Sequence, residues 1–202
     1  LLPAKTDQRK AALASAADAL FRRARLDQRE AGAKRRPNFN GCNPCGEILL
    51  DSHGLCNLTT LNVMGFVKDG ELDKKGLLEA QRLSARAGYR MTCRELEMYS
   101  WNSVQQRDRL LGCSLTGWQD MVNATGMERD EQIALLSELR ETAHRAAREI
   151  AARMGGKEPL LVTTIKPEGT LSLLPTVSSG VHYSHSPYYI RRIRITATDP
   201  LC

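Results

Sequence analysis

The sequence predicts an α/β fold with parallel strand pairing. Two observations carry this. Long stretches with a helical apolar period alternate with short apolar runs that read as buried strands. Gly- and Pro-bearing turns separate the two kinds of segment, and no internal repeat or low-complexity tract interrupts the alternation.

The elements follow in chain order. Residues 7–25 read as a helix with Leu13, Ala16, Ala17, Leu20 and Phe21 on one stripe and Thr6 as its N-cap. Residues 26–40 are charged and read as a linker. A cysteine-bearing loop follows, and Leu58 to Val67 reads as extended. Lys68-Asp69-Gly70 is a turn. Residues 74–92 read as a helix with Leu77, Leu78, Leu83 and Ala87 inward, and a second helix is expected over 95–109. Leu110 to Leu115 is an apolar run expected to be a buried strand, ended by Thr116-Gly117-Trp118. The longest helix is expected over 128–154, where Ile133, Leu136, Leu139, Ala143, Ala147, Ile150 and Met154 keep the 3.6-residue period. Gly155-Gly156 ends it. Leu160 to Ile165 reads as a strand closed by Lys166-Pro167-Glu168-Gly169-Thr170. Ser178-Ser179-Gly180 is a turn, and Tyr189 to Ile195 reads as a last strand.

Composition narrows the function classes. The 202 residues are 42% hydrophobic and 26% charged, ordinary values for a globular protein, and aromatics are only 5%, so aliphatic side chains must fill the core. The net charge of +6 is spread along the chain rather than gathered in an arm, which favours a solvated surface over a nucleic-acid patch. Six cysteines are too few for a secreted disulfide scaffold. No apolar run approaches the roughly 20 residues of a membrane span. The chain starts without Met or a signal-peptide core and ends without tail character, so it is expected to be a piece of a longer protein.

The sharpest chemical signal is Asn43-Pro44-Cys45-Gly46-Glu47, with a further thiol at Cys56. In an extended segment Asn43, Cys45 and Glu47 would face one side, placing a carboxamide, a thiol and a carboxylate against one substrate. The competing reading is a zinc site built from Cys42, Cys45, His53 and Cys56. Residue chemistry alone leaves both open. A second constellation, Lys166-Pro167-Glu168-Gly169-Thr170-Leu171-Ser172, ends a β run with groups that suit an anion, although taken alone it reads better as an ordinary turn. His182 and His185 lie in a Ser- and Tyr-rich stretch that reads as a hydrogen-bonded loop. Cys93 and Cys113 read as core thiols, and His144 as a surface residue.

Taken together these motifs resemble the ribonucleotide reductases, and most closely the monomeric, adenosylcobalamin-dependent class II type. The resemblance rests on Asn43 to Glu47, Leu55 to Leu58, Ser114 to Asp120, Thr163 to Ser172 and Val177 to Ser184, in family order over residues 37–202. It implies that 37–202 form part of a ten-stranded α/β barrel with the reactive cysteine on an internal finger loop; residues 1–36, a helical lead-in by their own pattern, lie outside the resemblance. It implies that Cys45 carries the thiyl radical, Glu47 acts as the base on the 3′-hydroxyl, Asn43 binds the sugar and Cys56 is one of two reducing thiols. The phosphates would sit around Glu168, Gly169, Thr170, Leu171 and Ser172. The implied cofactor is adenosylcobalamin, and no resident metal is expected. The implied partners are a ribonucleotide and thioredoxin or a similar dithiol, with no membrane and no nucleic acid, and the implied location is the cytoplasm. A class I-type reductase segment is the alternative within the family, and a zinc-stabilised nucleic-acid-binding module the alternative outside it. The second reducing thiol and the cysteine pair that receives electrons are expected outside these 202 residues, so this piece alone should not turn over.

Overall fold

A computed structural model describes residues 41–202 apart from 184, 185, 187, 189 and 191. The expected helix over 7–25, its cap Thr6 and the linker over 26–40 lie outside the described residues, as does His185.

The described chain opens with a hairpin of β1 (Gly41–Cys42) and β2 (Leu49–Leu50), paired antiparallel. Strand β3 (Asn57–Asn62) follows and runs into a 3-10 turn over Val63–Phe66, capped by the Asn62 side chain, which accepts from Met64 N at 3.2 Å. The expected extended run over 58–67 is therefore broken in its second half. Strands β4 (Val67–Lys68) and β5 (Glu71–Leu72) form a hairpin whose tip residues, Asp69 and Gly70, have φ of 52° and 81°. An Asp-Gly pair with both φ positive is the hairpin turn that matches strand twist.

Helix α1 (Lys74–Thr92) starts where Asp73 accepts from Gly76 N at 2.9 Å. Its extent is as predicted, but its inner face is not. Leu77 is buried, whereas Leu83 and Ala87 are exposed. The buried positions are Gln81, Ser84, Ala85, Gly88, Tyr89 and Thr92. The reason is close packing on the sheet. Ser84 Oγ donates to Thr59 Oγ1 at 2.7 Å, and a Cβ on Gly88 would touch Leu111 and Thr59, so small residues face the strands and Leu83 is turned outward.

Helix α2 (Tyr99–Asp108) leads through Arg109, at φ 45°, into β6 (Leu111–Thr116), all of whose residues are buried. Strand β6 lies parallel to β3, in register from Asn57 opposite Leu111 to Asn62 opposite Thr116. The two helices make the crossover that a parallel pair requires. Segment 160–165 lies on the other side of β6. Leu111 N donates to Leu161 O, Cys113 N to Val162 O and Thr164 N to Cys113 O. The spacing of these bonds slips by one residue, and a single parallel bridge, Cys113 opposite Thr163, stands where a full strand was expected. Among the described positions of 189–195 there is no strand; those residues are exposed. The sheets are two-stranded among the described residues and do not close a barrel.

Helix α3 (Trp118–Thr125) and helix α4 (Arg129–Arg153) complete the layer. A reciprocal box between Glu128 and Glu131 starts α4, and Gly155, at φ 64°, follows its end. Leu139, Ala143, Ala147 and Ile150 are buried as expected, but Ile133, Leu136 and Met154 are exposed, because Leu135, Ala146 and Ala151 take the inner stripe. His144 is half-buried rather than on the surface, and burial pushes its pKa down.

Alternation along β6 sorts the protein into two faces. Leu111 and Cys113 enter a core with Ala85, Tyr89, Ala143, Ala147 and Ile150, while Leu115 joins Val63, Leu77, Trp118, Met121 and Leu139. Cys113 is thus a core thiol, as expected, with Cys93 packed at the edge of the same cluster. Gly112, Ser114 and Thr116 point to the opposite face, where the loops gather.

Gly117 joins β6 to α3 with φ 74°, and its N–H donates to Ser178 O at 2.8 Å. A Cβ there would lie 2.9 Å from Asn62 Oδ1 and 3.2 Å from Val177 Cβ. Gly117→Ala should therefore destabilise the fold by about 1–3 kcal/mol. A urea titration should show a lower midpoint with an unchanged slope.

Candidate active site

The β1–β2 hairpin carries Asn43, Cys45 and Glu47 in its connection. That connection is a tight turn and not the extended piece expected, so alternation does not align the three side chains. Asn43 N donates to Ile48 O at 3.1 Å, Gly46 N to Asn43 O at 2.9 Å, and Ile48 N to Asn43 Oδ1 at 3.0 Å. The Asn43 carboxamide oxygen is thus spent on shaping the loop, which leaves its NH2 end as the group to offer a ligand. Gly46, at φ 79°, makes the bend. Cys45 is exposed at the tip. Glu47 turns inward, and both its carboxylate oxygens are buried without a hydrogen-bond partner.

Two contacts seat this hairpin on the sheet. Thr164 Oγ1 donates to Glu47 O at 2.9 Å. Ile48, buried, packs over Gly112; a Cβ there would overlap Leu58 and lie 3.0 Å from Thr164 Cγ2 and 3.3 Å from Ile48 Cδ1. The root of the hairpin is held by Arg107, whose guanidinium lies 2.8 Å from Asp51 Oδ2 and 2.7 Å from the buried Asp108.

Cys56 precedes β3 and is half-buried. Its thiol pKa is pushed up to about 12, first by burial and then by the negative charge of Glu47, with Lys166 pulling the other way. Its three charged or thiol neighbours, Glu47, Lys166 and Cys113, come from three different segments. The hairpin, the start of β3 and the end of segment 160–166 therefore converge.

The 166–172 turn begins beside them. Lys166 N donates to Ser114 Oγ at 3.0 Å, and Lys166 Nζ lies 2.9 Å from Glu168 Oε1 and 3.2 Å from Thr60 Oγ1. Thr60 donates to the same carboxylate oxygen at 2.6 Å. Glu168 is buried, its Oε2 has no partner, and its φ is 52°. Gly169, Thr170 and Leu171 are exposed, and the buried Ser172 hydroxyl meets Ser179 Oγ at 3.1 Å. Of the expected phosphate residues, three thus face solvent and two support the turn from within. Lys166 was legible as part of the motif but without a role. Thr60 was missed, although it shares the face of Cys56 by strand alternation.

The zinc alternative fails on geometry. Among the described residues no three His, Cys, Asp or Glu side chains gather as a metal site would require. His53 instead sits edge-on against Trp101, with ring centroids 5.6 Å apart. His182 makes a local contact with Ser179 O. No described helix is long and apolar enough to cross a membrane.

The fold matches a B12-dependent class II ribonucleotide reductase with a TM-score of 0.63 at 24% identity, over 73% of this chain and 23% of that one. It also matches the class Id ribonucleotide reductase alpha subunit of Actinobacillus ureae, with a TM-score of 0.61 at 20% identity, over 79% and 35%. The described residues therefore have the fold of part of a ribonucleotide reductase. No family model matches the chain. By sequence the chain is a homologue of the adenosylcobalamin-dependent ribonucleoside-triphosphate reductases. The Lactobacillus acidophilus enzyme of that name is 32% identical over 187 residues, and that of Euglena gracilis 32% over 163; they match 81% and 80% of this chain. A protein of Mycobacterium phage D29 is 34% identical over 171 residues. The chain spans about a quarter of the length of these relatives, 25%, 21% and 25% respectively.

The raised pKa of Cys56 gives a direct check. Thiolate, not thiol, reacts with iodoacetamide. At pH 8 the exposed Cys45 should be alkylated well before Cys56, as read by peptide mass spectrometry. Labelling of Cys56 should climb about tenfold per pH unit above that. Glu47→Gln removes a charge that raises the Cys56 pKa, so it should speed Cys56 labelling at fixed pH.

Proposed function

We propose that this chain is a catalytic segment of an adenosylcobalamin-dependent ribonucleoside-triphosphate reductase, which converts ribonucleotides to 2′-deoxyribonucleotides through a thiyl radical on Cys45. The observation that carries the reading is Glu47. Two buried carboxylate oxygens without partners are costly unless a ligand satisfies them, and hydroxyls of a ribose are donors of the right kind. They sit on the same finger as Cys45 and close enough to Cys56 to shift its pKa.

In this reading β3, β6 and segment 160–165 are part of a ten-stranded barrel, with the hairpin as its internal finger. The Cys45 radical takes the hydrogen from the ribose 3′-carbon. Glu47 accepts the 3′-hydroxyl proton and later returns it. The 2′-hydroxyl takes a proton from a reducing thiol and leaves as water, and Cys45 gives its hydrogen back to the 3′-carbon and regains the radical. Cys56 and a second thiol supply two electrons and end as a disulfide. A Cys56 pKa near 12 suits the task, because the thiol stays protonated at neutral pH and has a hydrogen to give. The NH2 of Asn43 donates to the sugar, and the turn at 168–172 receives the phosphates. Thioredoxin or a similar dithiol reopens the disulfide, and the enzyme works in the cytoplasm, where such reductants act.

When bound, adenosylcobalamin supplies the homolysis that starts the radical chemistry. The chain's own fit to it is the placement of Cys45, whose thiol stands exposed at the finger tip. None of the other described residues is assigned to hold the corrinoid. Dependence of the full-length enzyme on added adenosylcobalamin distinguishes this reading from a class I-type reductase.

In that enzyme, Cys45→Ser should lower deoxynucleotide formation by at least about a thousandfold. Glu47→Gln should slow turnover by about a hundred- to ten-thousandfold while nucleotide still binds. Cys56→Ser should allow at most one abortive event per enzyme. Sustained turnover by the Cys56 variant, measured over many equivalents of substrate, would overturn the assignment.

A further inference from the structure

Glu168 combines three features that ordinary turns do not share. Its side chain is 1% exposed, its backbone lies in the left-handed region, and one carboxylate oxygen takes two donors while the other takes none. A bulky side chain pays strain for a positive φ, and such strain persists only where surrounding contacts impose it. The contacts here are Lys166 Nζ at 2.9 Å and the Thr60 hydroxyl at 2.6 Å. Lys166 is itself only 17% exposed and is held at its other end, where its N–H reaches Ser114 Oγ.

The Glu168 carboxylate is unsuited to touching a phosphate. It is negative, buried and committed to a cation. Its effect on a bound anion must pass through the backbone, because the reversal at Glu168 sets the path of the exposed Gly169, Thr170 and Leu171. The hydrogen bond from Ser172 N to Glu168 O, at 3.2 Å, closes that reversal.

We propose that Lys166 and Thr60 are positioning residues for the triphosphate: by gripping the Glu168 side chain they hold its backbone left-handed and so fix the turn that receives the phosphates. The inference rests on the proposed function and adds to it two residues that act through a third. Lys166 also lies near enough to Cys56 to lower its pKa, and Thr60 lies on β3, which Cys56 precedes. The grip therefore keeps the anion turn at a set distance from the reducing thiol. A nucleotide whose phosphates are held is then held in register with the thiol that reduces its sugar.

The test uses the full-length reductase carrying this segment. Lys166→Met should raise the KM for ribonucleoside triphosphate by about tenfold or more, with kcat at saturation within about threefold of wild type. Lys166→Arg keeps the pair and should stay close to wild type. The double variant Lys166→Met with Glu168→Gly removes both the stranded carboxylate and the cost of the left-handed backbone, and should recover most of the lost KM. A purely structural role would lower the folded fraction, and with it the apparent kcat, without shifting KM alone. An unchanged KM in Lys166→Met, or a double variant no better than the single one, overturns the proposal. If Lys166→Met does not fold, Thr60→Val decides it: a raised KM supports the grip and an unchanged KM refutes it. A wild-type enzyme that reduces no ribonucleotide would sink the proposed function itself. Reduction by wild type with an unshifted KM in these variants would sink the grip alone.

Discussion

Three chain segments converge over Gly112, and the missing side chain there sets the spacing of the site. Leu58 of β3, Ile48 of the finger and Thr164 of the last extended segment all approach the position its Cβ would fill. Interiors are packed densely enough that a methyl group at such a point must displace something. The finger can lie against the sheet only because β6 offers this gap, and Thr164 then secures it by its bond to the Glu47 carbonyl. The thiol of Cys56, the carboxylate of Glu47 and the ammonium of Lys166 become neighbours as a result of that one close approach.

Two buried carboxylates on this face have opposite circumstances. Glu168 has a cation and a hydroxyl on one oxygen, so its charge is balanced within the protein. Glu47 has neither. Its uncompensated charge also helps keep the nearby Cys56 protonated. An environment that pairs one acid and leaves the other buried without a partner would, in the proposed function, divide structural work from chemistry, as in other sites where neighbouring acids take different roles.

The sequence made most of the framework legible. The helix over 74–92 and the buried strand at Leu111–Thr116 follow from period and length, and parallel pairing follows from their alternation. The β1–β2 connection and the 166–172 turn were visible as clusters of reactive residues. What failed has physical causes. The inner face of α1 was misjudged because apolar period favours Leu83, whereas packing on a sheet demanded Ser84, Ala85 and Gly88. Strand 160–165 was overestimated because its apolar run suits burial, but its register slips against β6. The extended alignment of Asn43, Cys45 and Glu47 gave way to a turn, since Gly46 permits one and Asn43 closes it. Thr60 escaped notice because its partner Glu168 is 108 residues away and no local pattern announces the pair, and Lys166, though part of the motif, carried no role because the hydroxyl that shares its carboxylate is equally remote.

The Arg107 bracket between Asp51 and Asp108 has a consequence for how the finger behaves in solution. One half of the bracket is buried, but the guanidinium is 38% exposed, so its attraction to Asp51 is partly open to screening ions. The contacts over Gly112 are apolar and indifferent to such ions. Concentrated salt would therefore slacken the hairpin at its base while its middle stays seated, turning a rigid arm into one that pivots.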